Sequence, residues 1–328
     1  MSGLWLITGG NGLIGREVVS LLAKRGDRVR VLDCRPVAEP LEDVEYITGD
    51  IRNPEDTDRA CDGVDFLVHL AAVDHDEDGE LIRDININGT ASLLESAALT
   101  GIKNIVFASS TLVYGSPPAE VPCHEENPLI SSGSFSLSKI IGEEMCLGMR
   151  ESCGAKAAVI RPPIVLGPGY DDPRILEWIV DRAINNQPVF VFGGGETLRH
   201  YVDIGDCARA FIMAAEDPAS DGHCFNIGFD KPHSDESFTK AVIRAAKSFS
   251  VPISIPQPIL EIGARASRII GHDLFPPELT YNLNMDAYFT TDKIRALLDW
   301  KPEKRLPVTL FEFMRWYKRK KLRESLHQ

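Results

Sequence analysis

Several things are scarce in this sequence. No apolar run is long enough to cross a bilayer, which excludes a membrane-spanning helix. Residues 4 to 8 already read as a buried strand, leaving no room for a signal peptide. The seven cysteines are scattered at 34, 61, 123, 146, 153, 207 and 224, with no Cys-x-x-Cys pair. No histidines fall at metal-ligand spacing, so no metal is expected. An odd, scattered set of thiols fits a reduced, cytoplasmic protein. Positive charge is in short supply: 35 Lys and Arg against 48 Asp and Glu leave a net charge of −13. That balance argues against a nucleic-acid binder, although a locally positive site could still take a phosphate. The basic stretch Arg315 to Arg323 reads as the solvated end of a last helix, favoured by the helix dipole.

An apolar fraction of 44% and a charged fraction of 25% over 328 residues describe an ordinary globular chain. Leu4 to Thr8 is a short apolar run stopped by glycines, hence a buried strand. Apolar positions 14, 18, 21 and 22 followed by Gly26 give a helix with a glycine stop. Further strands are expected at 28–33, 44–47, 66–70, 105–108 and 158–161, with helices near 85–100 and 136–152. This alternation predicts an α/β fold, a Rossmann-type doubly wound parallel sheet with a smaller C-terminal substrate lobe. The expected division is 1–164 for the nucleotide-binding domain and 165–328 mainly for the lobe, with later segments returning to the sheet. After Pro162 and Pro163 the rhythm loosens, with a helix expected at 174–186 and a strand at 189–192. There is no internal repeat.

Gly9, Gly12 and Gly15 lie in the first strand-to-helix turn, with Leu13 and Ile14 opening the helix. Glycine there allows a tight turn and lets backbone amides approach a pyrophosphate. Asp33 ends the second strand, 18 residues after Gly15. A carboxylate at that place accepts bonds from ribose hydroxyls and repels a 2′-phosphate, which favours NAD over NADP. Arg35 stands close enough to soften that preference.

Thr8 to Gly15, Ser109 to Gly115 and Gly133 to Lys139 together resemble the extended short-chain dehydrogenase/reductase family, in its NAD-dependent epimerase/dehydratase branch. The resemblance covers nearly the whole chain. It implies that Asp50 and Ile51 meet the adenine and that Leu70, Ala71 and Ala72 pass beneath the cofactor. It makes Asn86 a structural asparagine and sets Lys139 on the nicotinamide ribose. It also implies that Ser110, with Thr111 beside it, contacts the substrate. The family pattern is Tyr-x-x-x-Lys, and here Phe135 occupies the tyrosine position. Phenylalanine keeps the ring and lacks the hydroxyl that moves the proton, a transfer worth ~10²–10⁴-fold in rate.

Three readings of that gap stay open. Phe135 is an introduced Tyr→Phe exchange; or it is native and His124, Cys123, Asp74 or His75 moves the proton; or the chain binds NAD and a ligand without turnover. In the lobe, Arg161 to Gly169, Gly195 to Asp206 and Phe289 to Lys293 match family signatures, and Arg199 falls where nucleotide-sugar enzymes present an arginine to the diphosphate. The second arginine usual in those enzymes is missing from Tyr281 to Tyr288. That leaves room for a hydroxysteroid-type or other small alcohol beside a nucleotide sugar. The resemblance further implies a homodimer built on the helices near 85–100 and 136–152, through Leu93, Leu94, Ile140, Ile141 and Met145.

Overall fold

The computed structural model describes residues 3–73, 78–170, 175–256 and 285–326. Strands β1 (Leu4–Thr8), β2 (Arg28–Asp33), β3 (Val44–Thr48), β4 (Phe66–His69), β5 (Asn104–Ala108) and β6 (Lys156–Arg161) follow one another along the first half of the chain. The lobe adds β7 (Ile164–Leu166), β8 (Val189–Phe192), β9 (Leu198–Arg199), β10 (Tyr201–Asp203), β11 (Cys224–Asn226), β12 (His233–Ser234) and β13 (Pro252–Ile255). The main helices are α1 (Leu13–Arg25), α2 (Pro54–Cys61), α3 (Gly79–Ile82), α4 (Thr90–Thr100), α5 (Ser134–Cys153), α6 (Ile175–Ile184), α7 (Ile204–Glu216), α8 (Asp235–Ala246), α9 (Asp292–Leu298) and α10 (Leu306–Leu326).

Seven strands form one sheet in the order β11-β6-β5-β4-β1-β2-β3, every neighbouring pair parallel. The order reverses between β1 and β4, where Thr8 lies opposite His69. In open α/β sheets such a reversal opens a crevice at the carboxyl ends of the strands. The two-residue alternation of the strands sorts the core. Trp5, Ile7, Val29, Val31, Val68, Val106 and Ile160 pack on one face with residues of α1 and α7. Leu4, Leu6, Leu32, Leu67, Ile105, Phe107 and Val159 pack on the other with residues of α2, α4 and α5. The lobe has a core of its own, in which Val180, Val242, Leu310 and Phe313 are buried.

Although α7 and β11 lie beyond residue 164, they belong to the sheet layer. Phe211 and Phe225 are fully buried in the sheet's own core, and β11 pairs with β6. The sequence places a helix near 85–100, but the chain turns helical at Gly79 and runs through a π-helix, Arg83–Gly89, before α4. Polar residues at 83, 84, 86 and 88 and a glycine at 89 hide the apolar period there. A helix of this kind is rare and is commonly found at functional sites. No helix among the described residues is long and apolar enough to cross a membrane.

Of the residues assigned to a dimer interface, Leu93 and Leu94 are corrected by the structure. Both are buried in the chain's own core, at 0% and 5% exposure, because α4 turns this stripe onto the sheet. Ile140 and Met145 also pack against intramolecular clusters.

Candidate cofactor and substrate site

The turn after β1 is built by steric necessity. Gly9 has φ +68°, and a β-carbon on it would stand 2.8 Å from the Ala71 α-carbon. A β-carbon on Gly15 would stand 2.3 Å from the Gly9 carbonyl oxygen. Only glycine fits either place. Gly12 N–H donates to that same oxygen at 3.0 Å, and no side chain caps α1. The first-turn amides of Leu13 and Ile14 therefore have no acceptor within their helix, and the helix dipole adds positive potential there. Donors and potential of this kind fit a pyrophosphate.

Asp33 is buried at the end of β2, and its carboxylate accepts the backbone N–H groups of Asn11 and Arg35, each at 2.9 Å. Those bonds fix it against the glycine turn, where ribose hydroxyls would meet it. The Arg35 side chain is 70% exposed and lies 3.8 Å from Asp33, so it does not neutralise the carboxylate at close range. Asp50 is held by Arg52 at 2.6 Å, and that hydrogen bond lowers its pKa. Arg52 also reaches Asp84 at 2.6 Å. Ile51 is buried in the sheet's core beside Gly89.

Leu70 and Ala71 are half-buried and Ala72 is exposed. A directed chain of hydrogen bonds holds this segment. Ala71 N–H donates to Thr8 Oγ1 at 3.3 Å, and Thr8 Oγ1 meets His69 Nδ1 at 2.7 Å. His69 Nε2 meets Thr90 Oγ1 at 2.9 Å, and Thr90 donates to the Asn86 carbonyl at 2.7 Å. Because the Thr90 proton is spent on Asn86, His69 donates from Nε2 and accepts at Nδ1. The imidazole is neutral: burial and then the Lys139 charge push its pKa down to about 3. From the π-helix the Asn86 side chain grips Val73 on both backbone groups and donates to Ser138 Oγ at 3.2 Å. Ser138 in turn donates to the Phe135 carbonyl at 2.7 Å. The loop after β4 and the first turn of α5 are thus tied together.

Across the seam between α5 and β5, a β-carbon on Gly142 would stand 2.3 Å from the Phe107 ring. This close packing drops Lys139, one turn earlier, onto the end of β5. Lys139 is buried and donates to the Ala108 carbonyl at 2.8 Å. Its Nζ lies 5.1 Å from the Phe107 ring centre and 5.5 Å from that of Phe135. Ser110 caps the 3₁₀ turn Thr111–Tyr114, and its Oγ accepts from Leu112 N at 3.2 Å. The Ser110 hydroxyl proton is thereby left to point elsewhere. Thr111 is buried and donates its N–H to the Pro162 carbonyl at 3.1 Å. Ser110, Phe135 and Lys139 are gathered at the carboxyl end of β5 and the start of α5, and the ring at 135 brings no oxygen.

Sequence reasoning missed the floor of this site. Arg161 and Glu143 form a buried pair at 2.6 Å, with Ser109 donating to Glu143. Arg161 donates to the Tyr114 hydroxyl at 2.8 Å, which donates to Asn226 at 2.8 Å. Burial raises the Tyr114 pKa, so this hydroxyl, engaged on both sides, does not replace the one missing at 135. A spacing of four between Lys139 and Glu143 was the available signal.

The fallback acids fare differently. Cys123 is corrected: it is buried, its thiol donates to the Glu120 carbonyl at 2.9 Å, and burial raises its pKa to about 11. His124 is exposed, with Nδ1 3.4 Å from Thr290 Oγ1. Asp74 and His75 lie outside the described residues. In the lobe, Arg199 is paired with Asp235, Nε to Oδ1 at 3.0 Å.

The family model for the NAD dependent epimerase/dehydratase family matches residues 5–228. The chain is 27% identical over 309 residues to a UDP-glucose 4-epimerase of Halalkalibacterium halodurans, covering 84% of this chain and 91% of the relative. It is 23% identical over 333 residues to 3β-hydroxysteroid-dehydrogenase/decarboxylase isoform 1 of Arabidopsis thaliana, covering 90% and 75%. The structure of a Thermotoga maritima UDP-glucose 4-epimerase with UDP-glucose superposes with a TM-score of 0.81 at 22% identity, covering 97% of this chain and 99% of the other.

The neutral His69 generates a prediction. Its folded pKa of about 3 lies below the ordinary ~6.5, so the unfolded chain takes up the proton first as pH falls. Stability is therefore lost with falling pH through the window between these values. His69 should contribute a loss of about 1.4 kcal/mol between pH ~7.5 and ~5.5. Urea unfolding of the wild type and His69→Gln at both pH values measures this. The variant should show the shallower dependence, and equal dependences would contradict the assignment.

Proposed function

Because the chain belongs to the NAD-dependent epimerase/dehydratase family, we propose that it binds a sugar or similar secondary alcohol between the end of β5 and the lobe, and that Phe135 deprives this site of its general acid/base. The observation that carries the reading is Lys139, buried near the Phe135 ring and bonded to the Ala108 carbonyl two residues before Ser110. Oxidation of the alcohol removes a hydride from carbon and a proton from oxygen. NAD, when bound, supplies the hydride acceptor. Gly9, Gly12, Leu13 and Ile14 would hold its pyrophosphate, Asp33 its adenosine ribose, and Lys139 the second ribose. Asp50 and Ile51 would meet the adenine, and Leu70 to Ala72 would pass beneath the cofactor.

Ser110 donates its hydroxyl proton to the alcohol oxygen, and Thr111 flanks it. Lys139 places a cation near the same oxygen and would favour a phenolate at position 135. With phenylalanine there, the proton has no assigned carrier. A native and an introduced Phe135 are chemically the same protein, so the rate consequence is identical. The second reading, an NAD-binding protein without turnover, is favoured by the same missing oxygen. A UDP-glucose 4-epimerase and a 3β-hydroxysteroid-dehydrogenase/decarboxylase among the relatives make nucleotide sugars and hydrophobic alcohols the two substrate classes to try, with Arg199 facing the substrate's carrier group.

The same reading gives a cytoplasmic homodimer. The seven cysteines are all free thiols, and Leu99 and Leu137, on α4 and α5, stand 78% and 45% exposed. Light scattering at micromolar concentration should give twice the mass of the chain. A monomer would exclude this assembly.

Phe135→Tyr should raise turnover by ~10²-fold or more, because the hydroxyl enters beside Ser110 and Lys139 already in place. Adding Lys139→Met should remove most of that gain. Steady-state rates on nucleotide sugars and hydrophobic alcohols with NAD make the comparison. Equal activity of the present chain and Phe135→Tyr on a shared substrate would show that another group carries the proton, with His124 the first to replace.

A further inference from the structure

Among the described residues of the lobe, Arg199 is paired with a carboxylate. β9 pairs antiparallel with β12, placing Arg199 opposite His233, and a bridge joins Arg199 to Ala287 on its other side. Asp235 follows β12 directly and opens α8, and its N–H donates to the Thr197 carbonyl at 3.0 Å. Backbone bonds on both flanks thus fix the carboxylate beside the guanidinium, Nε to Oδ1 at 3.0 Å. Neither side chain is fully exposed, at 21% and 19%. A second carboxylate, Asp286, accepts the Leu198 N–H at 2.8 Å, on the same short strand as Arg199. Among the described residues, Arg199 is paired with one carboxylate, Asp235, and a second, Asp286, is bonded to the backbone of the same short strand.

We propose that Asp235 is a specificity-determining residue which, by occupying Arg199, makes the lobe select an alcohol on an uncharged carrier over one on a nucleoside diphosphate. A diphosphate brings two or more negative charges to a place where, among the described residues, the carboxylates of Asp235 and Asp286 stand near one guanidinium. Like charges at a partly shielded site are a strong means of rejecting a ligand. Pushing Asp235 aside does not solve the problem, because that strands a half-buried carboxylate without its cation. A role confined to the first turn of α8 accounts for less. Glu236 supplies an acid to the same turn, and helix support does not require burial against an arginine.

The proposal rests on the reading that Arg199 faces the substrate's carrier. UDP is the probe, titrated calorimetrically into NAD-loaded protein at fixed pH and salt. Asp235→Asn should bind UDP at least about 10-fold more tightly than the wild type, with NAD affinity unchanged. Asp235→Asn combined with Arg199→Ala should lose that gain. Asp235→Ser, which keeps a good helix-opening residue, repeats the test should the asparagine variant fold poorly. Arg199-dependent UDP binding that is equally tight with and without Asp235 overturns the proposal while leaving Arg199 at the substrate. UDP binding that ignores Arg199 in every variant overturns the placement of Arg199, and the proposal with it.

Discussion

The contact between Gly9 and Ala71 is the constraint on which the rest of the structure depends. It lies where the strand order reverses, so it brings the β1 turn and the segment after β4 within van der Waals reach. A side chain at either Gly9 or Gly15 would force the turn open and move the start of α1 away from Asp33. The hydrogen-bond chain through Thr8, His69, Thr90 and Asn86 then carries the position of that segment to the π-helix. Asn86 and Ser138 pass it to the first turn of α5. The turn after β1 and the first turn of α5 are therefore parts of one network. A neutral histidine at its middle is what the network requires, since an imidazolium at His69 could not accept from Thr8.

The second seam, between α5 and β5, sets the chemistry. Gly142 against Phe107 brings the helix close enough for Lys139 to reach the Ala108 carbonyl from a buried position. That geometry presents a cation beside position 135. In this chain the cation meets an aromatic ring instead of an oxygen, and the ring's face attracts it without accepting a proton.

Much of this was legible in the sequence because it depends on local pattern. Short apolar runs marked β1 and β4, and the glycine spacing marked the tight turn between β1 and α1. The fourfold spacing of Phe135 and Lys139 is a helix period and needs no tertiary knowledge. What stayed hidden depends on distant parts of the chain. The Arg161–Glu143 pair joins β6 to α5, and the Arg199–Asp235 pair joins residues 36 apart across a two-residue strand pairing. α7 carries a regular apolar period, Cys207, Ala208, Phe211 and Ala215, which the reading of the sequence did not use. The π-helix was missed because polar residues at 83, 84, 86 and 88 hide its apolar period, and of these only Asn86 is buried in the network.

Nucleotide preference tests the central claim most directly, since it reads the turn, Asp33 and the carboxyl ends of β1 and β2 together. Bound nucleotide released by denaturing the purified chain should be NAD, and calorimetry on stripped protein should show NAD binding at least about 10-fold tighter than NADP, because a buried carboxylate at Asp33 repels the 2′-phosphate. Equal or tighter binding of NADP, or no affinity for either, would contradict the account.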